Sequence, residues 1–239
     1  MSGTGTPPGT PPAPAREVPR RPAMVLVDVD GTMVDSVPDL AWCVDRMMEQ
    51  LGLPPHGEAA VRRWVGNGVE RLVKRALTCS LEGEPEHGLY ERALPVFTDL
   101  YQENTSKRSR LYPGVLEGLD LLAGRGYHLG CVTNKAARFT EPLLRDLGVA
   151  HFFTLVVSGD TLPEKKPDPM PLLYSAEYFG VDPRQSLMVG DSISDVKAAR
   201  AAGFAIVCMS YGYNHGLDIR DFGPDAVIDS MTELARLID

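Results

Sequence analysis

The chain has 239 residues, 44% of them hydrophobic, which is enough for one large α/β domain or for such a domain with an inserted module. Its formal net charge of -8 argues against nucleic acid or an anionic membrane as the partner, because both attract positive surfaces. No run approaches the roughly 20 apolar residues of a transmembrane helix. We therefore expect a small molecule as the ligand.

The N-terminal segment is rich in proline, glycine and threonine and lacks the apolar core of a signal peptide. Such a composition buries too little apolar surface to offset the entropy of ordering the chain. We expect residues 1–22 to form a mobile, partly polyproline-like tail.

The four cysteines are widely spaced and form no CxxC pair; they are Cys43, Cys79, Cys131 and Cys208. Free cysteines are among the residues most often buried in protein interiors. We interpret all four as reduced, buried residues of a cytoplasmic protein.

Five short apolar runs predict β-strands. They are AMVLVDV at 23–29, YHLGCVT at 127–133, FFTLVVS at 152–158, SLMVG at 186–190 and FAIVCMS at 204–210. Continuous apolar runs are typical of strands that helices cover on both faces. Helical patterns separate the later runs, which favours βαβ units with right-handed crossovers. The sequence therefore predicts an α/β fold around a parallel sheet.

The stretch from residue 36 to residue 108 shows no strand pattern and is too long for one crossover. Ser36 begins a sequence that resembles a capping box, and Leu40, Val44 and Met47 follow at helical spacing. We predict an all-helical insert over 36–108, with a core formed by 23–35 and 109–239. The insert would lie above the carboxyl end of the first strand, where open α/β sheets bind their ligands.

The first strand ends in two carboxylates, Asp28 and Asp30, followed by Gly31. Burying ionised carboxylates is costly unless a cation or hydrogen bonds compensate, so packing does not explain this pair. We expect the two aspartates to hold a metal ion and to take part in chemistry.

Polar residues also follow later strands; they are Thr133 and Asn134, then Lys166, then Asp191 and Ser192 with Asp195. Taken singly, each has a simpler interpretation as a helix cap or a solvated charge. Clusters at the ends of successive strands of one sheet are harder to explain in that way. The pattern indicates a single site at the carboxyl edge of the sheet.

These residue types suit phosphoryl transfer. Asp28, Asp191 and the backbone or side chain of Asp30 offer the oxygen ligands that Mg²⁺ prefers. Asp28 is the candidate nucleophile, which would attack phosphorus and form an acyl phosphate. Lys166 and the Thr133 hydroxyl would bind the phosphoryl oxygens.

Asp30 is the candidate acid and base. It would protonate the leaving alkoxide and then activate water for hydrolysis of the acyl phosphate. This role requires a protonated Asp30 at the start, which the negative charges of Asp28 and Asp191 favour.

Four strings resemble, in order, the motifs of the haloacid dehalogenase superfamily of phosphatases. They are Asp28-Val29-Asp30-Gly31-Thr32, Val132-Thr133-Asn134-Lys135, Lys166-Pro167-Asp168-Pro169 and Gly190-Asp191-Ser192-Ile193-Ser194-Asp195. The resemblance implies a Rossmann-like three-layer core, an inserted helical cap, Mg²⁺ dependence and an aspartyl-phosphate intermediate. It also implies that Asn134 helps to bind phosphate and that Ser192 and Asp195 support the metal.

Within the superfamily the chain is most similar to phosphoglycolate phosphatases. The strings that carry this similarity include Trp64-Val65-Gly66-Asn67-Gly68-Val69, Leu111-Tyr112-Pro113-Gly114-Val115 and Tyr211-Gly212-Tyr213-Asn214. The resemblance implies hydrolysis of 2-phosphoglycolate to glycolate and phosphate. Its strings specify function less sharply than the four motifs, because related caps serve other small phosphates.

Alternative functions stay open at this stage. A sugar-phosphate mutase keeps both aspartates, and a binding protein could retain the fold, whereas a dehalogenase has no alkoxide for Asp30 to protonate. In the insert, Arg62, Arg63 and Arg71 flank Gly66-Asn67-Gly68 and are either ligands for a substrate carboxylate or solvated surface charges. A monomer and a homodimer are equally compatible with the sequence.

Overall fold

The computed structural model describes residues 17–239. Most of the predicted tail, residues 1–16, lies outside the described residues. Its last residues pack against the core: Val18 contacts the main apolar cluster, and Arg21 N donates a hydrogen bond to Ile238 O at 2.8 Å. Val18 and Arg21 thus contact the core although they precede the predicted boundary at residue 23.

A parallel sheet forms the centre of the molecule. The strands in chain order are β1 (Met24–Val27), β2 (Val34–Asp35), β3 (Arg110–Leu111), β4 (His128–Val132), β5 (Leu155–Val157), β6 (Ser186–Gly190), β7 (Ala205–Met209) and β8 (Ala226–Ile228). The main sheet has the order β5-β4-β1-β6-β7-β8, and all of its strand pairs are parallel. Strand β1 lies between β4 and β6 and is completely buried, as its uninterrupted apolar sequence predicts.

Helices cover both faces of this sheet, and four more helices pack beside it. In chain order the helices of the described residues are α1 (Val37–Gln50), α2 (Glu58–Trp64), α3 (Val69–Thr78), α4 (His87–Gln102), α5 (Val115–Gly124), α6 (Ala137–Asp146), α7 (Met170–Phe179), α8 (Ile193–Ala202) and α9 (Met231–Leu237). Apolar side chains of α5, α6 and α9 pack on one face, and those of α7 and α8 pack on the other. This arrangement confirms the predicted three-layer α/β core. Among residues 17–239, no helix combines the length and apolar character needed to cross a membrane.

The helices α1 to α4 pack around an apolar cluster of their own. Val44 and Met47 of α1 and Phe97 and Tyr101 of α4 are fully buried in it. The four helices connect β2 to β3, and we interpret residues 36–108 as a helical insert on this basis.

Several expectations about the elements are wrong in detail. Strand β8 was not predicted, and neither were β2 and β3, which pair as a short antiparallel ladder on either side of the helices α1 to α4. The predicted strand over 152–158 is reduced to β5, because residues 150–152 form a 3₁₀ turn. Cys79 ends α3 in a left-handed conformation and is exposed, whereas the other cysteines are buried as expected.

Asp39 ties the beginning of the insert to its end. This fully buried side chain of α1 accepts hydrogen bonds through Oδ2 from Arg108 N at 2.8 Å, Ser109 N at 2.7 Å and Ser109 Oγ at 2.7 Å. The two chain segments that join the insert to the core are therefore held together by one carboxylate.

We expect Asp39→Ala to destabilise the protein. The substitution leaves two backbone donors without an acceptor, and at about 1–3 kcal/mol for each the free energy of unfolding should fall by about 3 kcal/mol. Urea-induced unfolding measures this change. Asp99→Ala removes an exposed carboxylate from α4 and should change stability by less than about 0.5 kcal/mol. Equal effects of the two substitutions would contradict the assigned role of Asp39.

Candidate active site

The predicted site residues meet because three neighbouring strands end at the same edge of the sheet. Val27 of β1 is in register with Cys131 of β4 on one side and with Val189 of β6 on the other. Asp28, Thr133 and Asp191 follow these strands directly and stand at adjacent carboxyl ends. The chain continues outward in opposite directions from β4 and from β6, and such a switch point is where open α/β sheets bind their ligands.

All predicted site residues line one cavity at this edge; they are Asp28, Asp30, Thr133, Asn134, Lys166, Asp191, Ser192 and Asp195. The prediction that these residues lie together, made from their positions at strand ends, is therefore correct. Their individual chemical roles stay predictions.

Three buried carboxylates occupy the floor of the cavity. Asp28, Asp191 and Asp195 present oxygen atoms that all lie within 4.8 Å of one another. The buried Lys166 Nζ lies 2.7 Å from Asp195 Oδ1 and 3.1 Å from Asp28 Oδ1, and it donates a hydrogen bond to Val132 O at 2.6 Å. One ammonium group therefore contacts two of the three carboxylates.

The pKa values reflect this excess of negative charge. Burial raises the pKa of Asp28 to about 6, although Lys166 opposes the shift. Burial also raises the pKa of Asp191, and the nearby carboxylates of Asp195 and Asp28 add to the effect. Burial disfavours the charge of Lys166, but Asp195 and Asp28 outweigh this penalty and raise the pKa of the lysine. The lysine stays charged, while the carboxylates lack enough positive partners.

The carboxylate cluster fits a hard divalent cation. Asp28 Oδ1 is buried and accepts no well-directed hydrogen bond, despite its short distance to Lys166 Nζ. A set of close carboxylate oxygens is the ligand type that Mg²⁺ prefers. The cluster contains Asp28 and Asp191 of the predicted ligand set together with Asp195, the predicted supporting residue, whereas the Asp30 carboxylate pairs with Lys135.

Glycines leave space for the carboxylates of Asp191 and Asp195, and backbone amides bind Asp195. A Cβ atom on Gly31, Gly190 or Gly212 would lie within 2.4 Å of an atom of Asp191 or Asp195. Asp195 Oδ2 accepts hydrogen bonds from Asp191 N at 3.2 Å, Ser192 N at 3.0 Å and Ser192 Oγ at 2.7 Å. Asp195 thereby orients the turn that carries Asp191, which is consistent with the predicted supporting role.

Thr133 and Asn134 connect the cavity floor to its lysines. Asn134 Nδ2 donates to Lys166 O at 2.8 Å, and Thr133 Oγ1 accepts from Lys135 N at 3.3 Å. The Thr133 side chain is therefore fixed at the carboxyl end of β4 beside the cavity, as a phosphate-binding role requires.

Asp30, the predicted acid and base, forms an ion pair that the sequence did not predict. Lys135 Nζ lies 2.9 Å from Asp30 Oδ1 and 3.0 Å from Oδ2. Burial disfavours the charge of Lys135, but Asp30 and Tyr101 outweigh that penalty and raise the pKa of the lysine. Sequence reasoning missed Lys135, although the residue stands in the second motif.

The helical insert closes the cavity from above through Gly66-Asn67-Gly68. Asn67 Nδ2 donates to Ser194 Oγ of α8 at 3.3 Å, and Asn67 Oδ1 accepts from Arg75 at 3.0 Å. Arg75 is buried and also donates to Trp64 O and Gly66 O. The loop thus forms part of the lining of the cavity and is held there by hydrogen bonds to α8 and to Arg75.

The arginines that flank this loop bind other carboxylates. Arg62 pairs with Asp35 and Glu58, and Arg71 pairs with Glu82 and Glu84. Among the described residues that line the cavity there is no arginine. Of the two interpretations left open for Arg62, Arg63 and Arg71, the structure therefore does not favour a role as ligands for a substrate carboxylate.

Tyr213 connects the site to the segment that leads into the insert. Sequence reasoning did not assign this residue to the site. Its backbone N donates to Asp191 Oδ2 at 2.6 Å. Its hydroxyl forms a short hydrogen bond with Asp35 Oδ1 and accepts from Ser36 N at 3.1 Å. One residue thus contacts both a predicted metal ligand and the chain entering α1.

The sequence and the site together define the protein class. The family model of haloacid dehalogenase-like hydrolases matches residues 25–209, and the chain belongs to this family. A phosphoglycolate phosphatase of Nitrosococcus oceani is 65% identical over 219 residues, which cover 92% of this chain and 97% of that protein. A phosphoglycolate phosphatase of Nitrosospira multiformis is 46% identical, over 90% of this chain and 94% of its own length.

Solved structures agree with this assignment. A crystal structure described as a predicted phosphoglycolate phosphatase from Haemophilus somnus has a TM-score of 0.86 at 36% identity and covers 92% of this chain and 99% of its own. A putative beta-phosphoglucomutase from Thermotoga maritima has a TM-score of 0.67 at 25% identity, over 90% of this chain and 97% of its own. The chain is therefore similar in fold both to a structure described as a phosphatase and to one described as a mutase.

Gly212→Ala should impair cation binding through Asp191. The added methyl group would lie 2.1 Å from Asp191 Cβ and would displace the carboxylate. Displacing a group that supports a metal ligand costs about 10–100-fold in affinity, so we expect at least about a tenfold weaker binding of Mg²⁺ in calorimetric titrations. Gly124→Ala is the matched control, because no atom lies within 4 Å of its added Cβ. Wild-type affinity in Gly212→Ala would show that Asp191 is not a ligand.

Proposed function

We propose that this protein is a Mg²⁺-dependent phosphomonoester hydrolase whose principal substrate is 2-phosphoglycolate. The observation that carries the proposal is the cluster of Asp28, Asp191 and Asp195 around Lys166 at the switch point of the sheet. The high identity to relatives named phosphoglycolate phosphatase supports the choice of substrate. All four cysteines are free, which supports the predicted cytoplasmic location.

In the proposed reaction Asp28 attacks the phosphorus atom and the ester bond to the leaving oxygen breaks. Asp30 delivers a proton to that oxygen, so that the alcohol leaves neutral. Asp30 then accepts a proton from water, which attacks the aspartyl phosphate and regenerates Asp28. Lys166 and Thr133 hold the phosphoryl oxygens, and the Lys135 ion pair suits the basic form of Asp30 in the second step.

Mg²⁺, held by Asp28 and Asp191 with Asp195 in support, would neutralise the phosphoryl oxygens. The role of the backbone oxygen of Asp30 as a further ligand stays a prediction. The protein's own contribution is to keep the carboxylates of the cluster close together in a buried site that only positive charge can stabilise.

A sugar-phosphate mutase is the second candidate, and the similarity to a putative beta-phosphoglucomutase favours retaining it. Both reactions use the same pair of aspartates. The two differ in whether the phosphoryl group passes to water or to a second sugar hydroxyl.

Phosphate release should depend on both substrate and metal. In a panel of 2-phosphoglycolate, other phosphorylated short acids, sugar phosphates and nucleotides, we expect the highest kcat/KM for 2-phosphoglycolate with Mg²⁺. EDTA should abolish turnover, because the carboxylates then lack their cation. Conversion of glucose 1-phosphate to glucose 6-phosphate without free phosphate would support the mutase and contradict our proposal.

Asp28→Asn should remove the nucleophile while preserving shape. We expect a loss of more than about 10³-fold in kcat, the scale seen when a nucleophile is removed. The exposed Asp99→Asn carries the same chemical change on α4 and should leave kcat unchanged. If Asp28→Asn keeps a tenth of the wild-type rate or more, another residue must attack phosphorus.

A further inference from the structure

Lys135 is a buried lysine at the cavity for which the proposed reaction uses only the ion pair with Asp30. It is 5% exposed, and its ammonium group lies between the Asp30 carboxylate and the ring of Tyr101, at 4.8 Å from the ring centroid. Taking an ammonium group out of water costs several kcal/mol, so a lysine in this place indicates a need for positive charge.

The two lysines of the cavity have different partners. Lys166 Nζ donates a hydrogen bond to Val132 O and lies within 3.1 Å of carboxylate oxygens of Asp195 and Asp28. Lys135 Nζ donates to both carboxylate oxygens of Asp30. Among the described residues no arginine lines the cavity, and the two lysines are its ammonium groups. Lys166 lies beside the proposed nucleophile, so Lys135 is the ammonium group on the side of the proposed acid, where the leaving group would lie.

The position of Lys135 matches the shape of a phosphorylated 2-hydroxy acid. An acid that protonates the leaving oxygen must lie within hydrogen-bond distance of it, so the leaving oxygen is adjacent to Asp30. In 2-phosphoglycolate the carboxylate carbon is two bonds from that oxygen. Lys135 Nζ is one hydrogen bond from Asp30, at 2.9 Å, and is therefore within reach of that carboxylate.

We propose that Lys135 is the specificity-determining residue of this site and binds the carboxylate of the leaving group. The inference rests on the proposed function and extends it: the substrate class is phosphate esters of short 2-hydroxy acids. Sugar phosphates and other neutral alcohol esters bring no anion to Lys135. A site that binds an anion through a buried cationic group discriminates strongly against ligands without the anion, because the cationic group then lacks its partner.

The test compares two substrates that differ in one group. 2-Phosphoglycolate carries a carboxylate where 2-hydroxyethyl phosphate carries a neutral hydroxymethyl group. In Lys135→Met we expect the ratio of the two kcat/KM values to fall at least about tenfold, since hydrogen bonds to charged groups are the stronger ones. Lys135→Arg should recover part of the ratio. Lys197→Met removes an exposed lysine from α8 and should leave the ratio unchanged.

Product inhibition gives a second readout. Glycolate should inhibit the wild-type hydrolysis of 2-hydroxyethyl phosphate at lower concentration than ethylene glycol does, and Lys135→Met should remove most of this difference. Inhibition by inorganic phosphate should change far less. Should Lys135→Met fail to fold, equal inhibition of the wild-type protein by glycolate and ethylene glycol would itself overturn the proposal.

Two results separate the inference from the function on which it rests. If wild-type protein prefers 2-phosphoglycolate but Lys135→Met loses activity equally on both substrates, the lysine only positions Asp30, and the inference fails while the function stands. If wild-type protein hydrolyses 2-hydroxyethyl phosphate but not 2-phosphoglycolate, the proposed function fails, and the assignment of Lys135 fails with it.

Discussion

The crowding of buried carboxylates at the end of β1 is the constraint on which the rest of the site depends. Asp28, Asp191 and Asp195 repel one another in a place where water cannot screen them, and Lys166 compensates only part of that charge. The strand register brings the carboxylates together, and glycines at 31, 190 and 212 leave the space that the side chains of Asp191 and Asp195 occupy. A site of this kind binds cations and phosphoryl groups together, because each supplies charge that the other lacks.

The core of this site could be predicted from the sequence because it depends on strand ends. Parallel strands end at one edge, so Asp28, Thr133 and Asp191 had to meet there. The Asp30–Lys135 pair could not be predicted in this way, since neither member directly follows a strand and Tyr101 of α4 completes its surroundings. Short elements were missed for a related reason: β8 has three residues, and so few residues show no clear pattern.

The partners of the arginines in the insert could not be predicted from the sequence either. Helical spacing places Arg62 and Arg71 near the loop over the cavity, but it does not reveal which carboxylates lie across from them. Arg62 meets Asp35 of β2, which is 27 residues away, and it lies over the ring of Tyr213. The charge of a surface residue is read directly from the sequence, whereas its partner is decided by tertiary packing.

Tyr213 makes the position of the insert and the geometry of the site interdependent. Its amide fixes Asp191, and its hydroxyl fixes Asp35 and Ser36, where the chain leaves the core for α1. A shift of the insert that moved Asp35 would therefore pull on the loop that orients Asp191. Asn67 of the insert also contacts Ser194 of α8, so hydrogen bonds join the insert to the core at a second place beside the cavity. A displacement of the insert would therefore disturb both contacts at the edge of the sheet.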